Sequence, residues 1–417
     1  MTQTHNRLKL WVLLAAGSLA VMPGAVIIPV LGEIEQQFQL DKALAQAGWL
    51  ASAHYSTVAL FSPILGLVAN RMGWVRVLVG SLLLFAVFGI AGAWTTSYEA
   101  MLVTRLLLGA ATGGIAAASL GILAQLYRQE EERSQAIALA SSTISLANIA
   151  YPLLAGLVGA TNWRWAFYLY GMSLPIALAA ALTLADRSNS ERPASASLLK
   201  GVAANKIGTL ARDSRVLRFL VTLLLTSATA YATVTTMPIY LKEAINASTP
   251  TIGAILASQA IGSAAIAAFG LKYLTRRLGT VLCIGIGFGS MAVALVAIPN
   301  VLQASLLMLV AILFGIGLGI VMPSHYGALA NVTPPALQSI VLALGTGVTF
   351  LGQFLSPGLY TFLLQSLPEA ASAQTTTVFY VAAVLVLSMG FLLVATFRSL
   401  IQTELSSRLR RQARNEP

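Results

Sequence analysis

Long apolar runs broken by short polar punctuation recur along the whole chain. Each is about 20 residues or longer, enough for a helix to cross a hydrocarbon core of roughly 30 Å. Twelve spans are predicted, at about 10–31, 46–69, 74–94, 98–123, 134–160, 163–185, 216–241, 250–273, 279–298, 302–327, 337–366 and 374–398. No strand alternation suggests a barrel, and lipid leaves the backbone of such segments only the helix. The expected fold class is an all-α membrane protein with twelve transmembrane helices. One long polar stretch, 186–215, splits the spans six and six. The expected organisation is an N-terminal half (1–185), a linker (186–215), a C-terminal half (216–398) and a basic tail (399–417). The second half of the linker has the pattern of a basic amphipathic helix on a membrane surface.

Composition agrees with this pattern. The 417 residues are 57% hydrophobic and 9% charged, against about 25% charged in soluble domains. The net charge of +11 reflects membrane topology rather than nucleic-acid binding. With the N-terminus inside, 21 of the 25 Lys and Arg fall on the inner side. Only Lys42, Arg164 and Lys242 fall outside, and Arg105 lies within a span. That asymmetry places both termini in the cytoplasm. The N-terminal apolar run continues to about Leu31 without a clear cleavage site, so it reads as a retained first helix. The single Cys283 permits neither an intramolecular disulfide nor a metal cluster.

The two halves repeat. Arg105-LLL-Gly109-AAT-Gly113 aligns with Ala311-ILF-Gly315-IGL-Gly319, an offset of 206. Ser134, Asn148 and Pro152 align with Ser339, Gln353 and Pro357, an offset of 205. Ile28-Pro29-Val30 matches Met237-Pro238-Ile239. Ordered offsets at equivalent spans imply duplication. Both halves start on the same side, so they are parallel pseudo-repeats about an axis along the membrane normal.

The segment GLVANRMGWVR carries Gly66, Leu67, Ala69, Asn70, Arg71, Gly73 and Arg76. It resembles the loop between spans 2 and 3 of the major facilitator superfamily, G-x-L-a-D-R-x-G-r-K/R, with Asn70 in place of the acid. LVTRLLLGAATGG (102–114) is similar to the span 4 motif of the drug:proton antiporter (multidrug and arabinose-efflux-like) branch. NWRWAFYLYG (162–171) looks like the segment opening span 6. ANIAYPLLAGLVG (147–159) keeps Pro152 and Gly156 of that branch's span 5 motif but lacks the glycines before the proline. The resemblance covers essentially the whole chain. It implies a proton-coupled antiporter working by alternating access, in which residues 66–76 form a gating loop. Asn70 keeps hydrogen bonding but removes the charge, so its lock is expected to be weaker or charged from elsewhere. The second-half copy, GLKYLTRRLG (270–279), has two extra residues between its glycines.

None of the 14 acidic residues is expected deep in a span. Glu33 and Glu99 sit at outer span ends and are the acids to reconsider if one reaches inward. Arg105 lies about seven residues into its span, roughly 10 Å deep, where an unpaired cation is costly. His54, at comparable depth, is the candidate proton carrier. Asn148, Gln353, Tyr231, Gln259 and His325 complete the candidate pathway. Gly109, Gly113, Gly315 and Gly319 read as small-residue packing faces. No phosphate-binding loop, metal-ligand spacing or embedded aspartate pair is found, so neither an ATP-driven pump nor an enzyme is expected, and no cofactor.

The expected role is export of small organic molecules, neutral or anionic ahead of cationic, with protons as the coupling partner. An uptake permease for a small organic anion or nutrient is the alternative. The protein is expected to be a monomer in the plasma (bacterial inner) membrane, with the lipid bilayer as its surroundings and no nucleic-acid partner.

Overall fold

The computed structural model describes residues 2–40, 43–127, 129–184, 213–334, 337–365, 367 and 375–396. Among the described residues, twelve helices are long and apolar enough to cross a membrane. In chain order they are α1 (Arg7–Phe38), α2 (Ala45–Met72), α3 (Trp74–Trp94), α4 (Tyr98–Leu126), α5 (Glu131–Val158) and α6 (Arg164–Leu184). The second six are α7 (Ser214–Ile245), α8 (Thr249–Leu278), α9 (Thr280–Asn300), α10 (Ala304–Asn331), α11 (Ile340–Gln365) and α12 (Thr375–Thr396). Most of the linker, and the whole tail 399–417, lie outside the described residues.

Helix ends follow local chemistry. The Ser97 side chain accepts a hydrogen bond from the Ala100 N–H at 3.2 Å, capping α4, and Glu99 sits in its first turn. Asn162 Oδ1 accepts from Arg164 N at 2.9 Å where α6 begins. The first helix is longer than its apolar run suggested. It bends through short 3-10 turns at Leu19–Val21 and Ile28–Val30, beside Pro23 and Pro29, and continues to Phe38. Proline kinks a helix that tertiary packing holds together, so these prolines turn α1 without ending it.

Packing repeats between the halves. α4 lies against α2 and α3, and α10 lies against α8 and α9. α3 packs on α6, and α9 on α12. Where the halves meet, α5 packs on α8 and α11 packs on α2. These are equivalent pairs in a two-fold pseudo-symmetric assembly. The glycines make it possible. A side chain at Gly109 or Gly113 would strike the α2 backbone at His54 and Ser62. One at Gly315 or Gly319 would strike the α8 backbone at Gln259 and Ser263. Polar groups freed by such close approach add little, so van der Waals contact holds these pairs.

The two turns after α2 and α8 are also equivalent. Gly73 has φ 97° and Gly279 has φ 87°, values that favour glycine. The extra residues of the second copy lie on the helix side of its turn, where α8 contains a π-helical turn at Ile266–Gly270. Gly66 has nothing within 4 Å of where a side chain would start, so it makes no close approach in this conformation.

Gly109→Val is expected to destabilise the folded protein by about 1–3 kcal/mol or prevent folding, whereas Gly66→Ala leaves thermal stability in detergent unchanged. Thermal unfolding of the purified variants measures both.

Candidate functional site

The capped start of α4 fixes Arg105 seven residues into the helix, and Tyr170 lies six residues into α6. At 1.5 Å per residue both reach a similar depth, where they meet. The Arg105 Nη1 donates to the Tyr170 hydroxyl at 3.0 Å and to the Pro23 carbonyl of α1 at 3.3 Å. Tyr170 donates to the same carbonyl at 3.2 Å. The guanidinium carbon lies 5.1 Å from the Phe167 ring centre and 5.3 Å from that of Tyr170. These ring contacts offset part of the cost of a buried cation. Arg105 is 0% exposed, yet its Nε and Nη2 have no hydrogen-bond partner. Among the described residues no acid pairs with it.

His54 of α2 is buried beside this cation and near the Ala51 carbonyl, with its Nδ1 short of hydrogen-bond geometry to any partner. The Ala51 carbonyl accepts from the Tyr231 hydroxyl of α7 at 2.8 Å, a bond between the two halves. Tyr55 links the cluster together. Its ring lies 4.0 Å from His54, edge-on to Tyr231 at 5.2 Å and stacked with Phe350 of α11 at 5.7 Å. Gly24 backs the group: a side chain there would start 3.3 Å from the Tyr55 hydroxyl and 3.7 Å from that of Tyr231. The result is one cationic and three phenolic groups, an imidazole and the flanking rings of Phe167 and Phe350 at the seam of the halves.

The cluster is closed off on the side away from the termini. There Trp49 packs edge-on to Phe354 at 5.3 Å, and Ser52 bonds to the Phe354 carbonyl. Gly48 faces Pro357, Gly32 faces Pro238, and Gly156 and Gly253 interlock. Glu33 accepts from the Thr249 hydroxyl across the halves. On the termini side, α4 and α10 pack substantially only within their own halves. The α5 side chains Ser141, Ser142 and Ser145 bond there only to their own helix.

Of the sequence candidates, the structure brings together Arg105, His54 and Tyr231. Asn148 is exposed, and its amide donates to Ile144 of its own helix at 3.2 Å. Gln353 is half-buried with Oε1 unpartnered. Gln259 is half-buried, and its carbonyl is the close neighbour of Gly315. His325 lies apart, buried between Phe219 and Phe288, with Nε2 3.2 Å from Thr222 Oγ1 and Nδ1 3.0 Å from the Val321 carbonyl. Its partners tie α10 to α7. In the loop, Arg71 is exposed, and Arg76 donates to the Met72 carbonyl at 3.3 Å. Neither pairs with an acid among the described residues, and the Asn70 Oδ1 is buried without a partner. Sequence reasoning missed Tyr55, Phe167, Tyr170 and Phe350. For Tyr170 the available signal was depth, because it and Arg105 lie nearly equal distances from capped helix starts on the same side.

The Major Facilitator Superfamily model matches residues 13–248 and 219–415. The chain belongs to the major facilitator superfamily. It is a multi-pass membrane transporter, not an enzyme. The Multidrug export protein EmrB of Haemophilus influenzae is 31% identical over 144 residues, which are 34% of this chain and 28% of that protein. The Methylenomycin A resistance protein of Streptomyces coelicolor is 27% identical over 172 residues, 41% of this chain and 35% of that protein. The matches thus span about a third of these relatives' lengths. Among solved structures, a bacterial homologue of the human lysosomal transporter Spinster, described as inward-facing and unoccupied, superposes with a TM-score of 0.72. That likeness covers 97% of this chain and 98% of the other at 14% identity. A mutant form of the nucleoside transporter NupG gives 0.74 over 94% and 100%, also at 14% identity. At these identities the structural likeness shows the fold.

Tyr170→Phe removes one of the two acceptors of Arg105 and is expected to destabilise the protein by about 1–3 kcal/mol. Tyr168→Phe, at an exposed hydroxyl that only accepts from Trp94, is the control, with thermal unfolding as the readout.

Proposed function

We propose that this transporter exports small organic molecules, neutral or anionic, in exchange for protons by alternating access. One observation carries the solute preference: Arg105 is buried at the seam of the halves with two guanidinium nitrogens, Nε and Nη2, unpartnered and, among the described residues, no acid paired with it. A fixed positive charge in a low-dielectric site repels a cationic solute and attracts a carboxylate or a polar neutral group. Within this reading Arg105 contacts the solute or relays charge, and His54 takes up the proton. Asn148, Gln353 and Gln259 are proposed to line the path, with His325 near its inner end.

Export is supported by the names of the relatives, a multidrug export protein and an antibiotic resistance protein. Sidedness is supported by the charge asymmetry, with 21 of 25 bases on the side of the termini. In this reading the termini are cytoplasmic, the membrane is the bacterial inner membrane, and the conformation described is shut outside and open inside. Residues 66–76 form the inner gate, and among the described residues neither Arg71 nor Arg76 has an acidic partner. The transporter acts as a monomer, since each chain contains both halves of the path.

The test is transport in everted membrane vesicles under an imposed proton gradient, using neutral, anionic and cationic solutes with and without a protonophore. Gradient-driven uptake of neutral or anionic solutes is expected, lost at least about tenfold in Arg105→Ala and altered in pH dependence in His54→Ala, since each tenfold corresponds to only about 1.4 kcal/mol. Uptake only down the solute's own gradient contradicts proton coupling, and accumulation in intact cells contradicts export.

A further inference from the structure

Among the described residues, four buried polar atoms without a hydrogen-bond partner lie along one helix pair of the C-terminal half. On α11 they are Gln353 Oε1, Ser356 Oγ and the Tyr360 hydroxyl. Spacings of three and four residues put these on one face of the helix. On α7 the fourth is Thr229 Oγ1, which lies beside the Tyr360 hydroxyl but outside hydrogen-bond geometry. Ser356 is 1% exposed, Tyr360 4% and Thr229 0%. A buried hydroxyl left unpartnered costs about 1–3 kcal/mol. A row of them points to a partner that the chain itself does not supply.

The same stretch of α11 borders a cavity of about 30 Å³. Its wall includes Thr235 and Thr236 of α7 and Ser356, Tyr360 and Thr361 of α11, five hydroxyl-bearing residues. Val378 of α12 borders one side, and Gly48 of α2, from the other half, borders another. Nearer the termini, Gly352 seats α11 against the Leu224 carbonyl of α7. Beyond that contact each helix carries a proline, Pro238 on α7 and Pro357 on α11. Pro357 lines the cavity and has no N–H to give the Gln353 carbonyl. The cavity thus sits at the proline kink of α11, past the close contact at Gly352.

We infer that this cavity is an internal hydration site, in which bound water bridges α7 and α11. A buried water needs about 10–15 Å³ and two to four polar partners, so there is room for about two molecules and a surplus of partners. Ser356 and Tyr360 have hydroxyl protons to donate to the water. Thr235 and Thr361 spend theirs on backbone carbonyls, Thr235 on Tyr231 and Ala232 and Thr361 on Pro357. Their oxygens are left to accept from the water. An apolar cavity of this size would stay dry. The water completes the kinked segments of α7 and α11, and no proton or charge is transferred. The inference does not depend on which solute the transporter carries or on what drives it.

The test is radiolytic hydroxyl labelling of the full chain in lipid nanodiscs, with mass spectrometry locating the added oxygen. Radicals generated from a bound water attack the side chains that touch it, so a buried side chain is labelled only where water is held. Tyr360 is expected to be labelled. Tyr240, equally buried and bonded to the Ile298 carbonyl at 3.4 Å, is the comparison expected to stay unlabelled. After brief mixing with heavy-oxygen water the Tyr360 adduct should still carry ordinary oxygen, because the site is sealed. Ser356→Val fills the cavity with methyl groups and should abolish the Tyr360 label. Ser356→Ala removes one partner and should lower the label, and this variant carries the test if Ser356→Val fails to fold. Tyr360 labelled no more than Tyr240, or labelled equally in the parent and both variants, overturns the site. Immediate appearance of heavy oxygen at Tyr360 overturns it too, since the water would then be bulk solvent in an open channel.

Discussion

The structure depends on how a membrane protein accommodates one buried arginine, Arg105, that no acid among the described residues pairs. An unpaired cation at this depth costs several kcal/mol or more. Here the compensation is partial: two oxygen acceptors on Nη1 and two aromatic faces, with Nε and Nη2 left over. A site that needed only stability would have satisfied the whole guanidinium fork or used an apolar residue. The unspent donors therefore fit a group that meets a partner only part of the time, as a solute or a proton carrier does.

Several features of the fold follow from this. α1 must bring its Pro23 carbonyl to the guanidinium, and it bends through 3-10 turns on either side of that stretch. α6 must deliver Tyr170 at the depth of Arg105, and both helices start from capped turns at one level. The cluster then touches the other half through Tyr231 and Phe350. Outward from it, contact between the halves combines glycines, prolines and short polar side chains with the Trp49–Phe354 pair. The closest helix pairs within each half, α2–α4 and α8–α10, set backbone against glycine as well. Those pairs hold the helices of each half together.

Twelve helices and the two-fold repeat were legible in the sequence because lipid allows the backbone one solution and duplication leaves regular offsets. The depth of Arg105 was legible for the same reason, by counting from a helix start. Its partners were not: Tyr170 lies 65 positions away, and only the packing of α4 and α6 on α3, with α1 against α4, brings it near. Glu33 was placed at an outer span end, but α1 was expected to stop near Leu31. The helix runs on to Phe38, and that extension carries the carboxylate to Thr249. Gly73 was readable as a turn residue from its setting, and its φ of 97° agrees. Gly66, in the same motif, makes no close contact here.

The central claim is that the fixed charge of Arg105 sets which solutes the cavity accepts. The most direct measurement is binding to the purified protein of three solutes sharing one aromatic scaffold and ending in a carboxylate, an amide or a quaternary ammonium. The carboxylate and amide should bind at least about tenfold more tightly than the ammonium, a difference of about 1.4 kcal/mol, and Arg105→Gln should remove that preference. Equal or tighter binding of the ammonium to the unmodified protein would contradict the account.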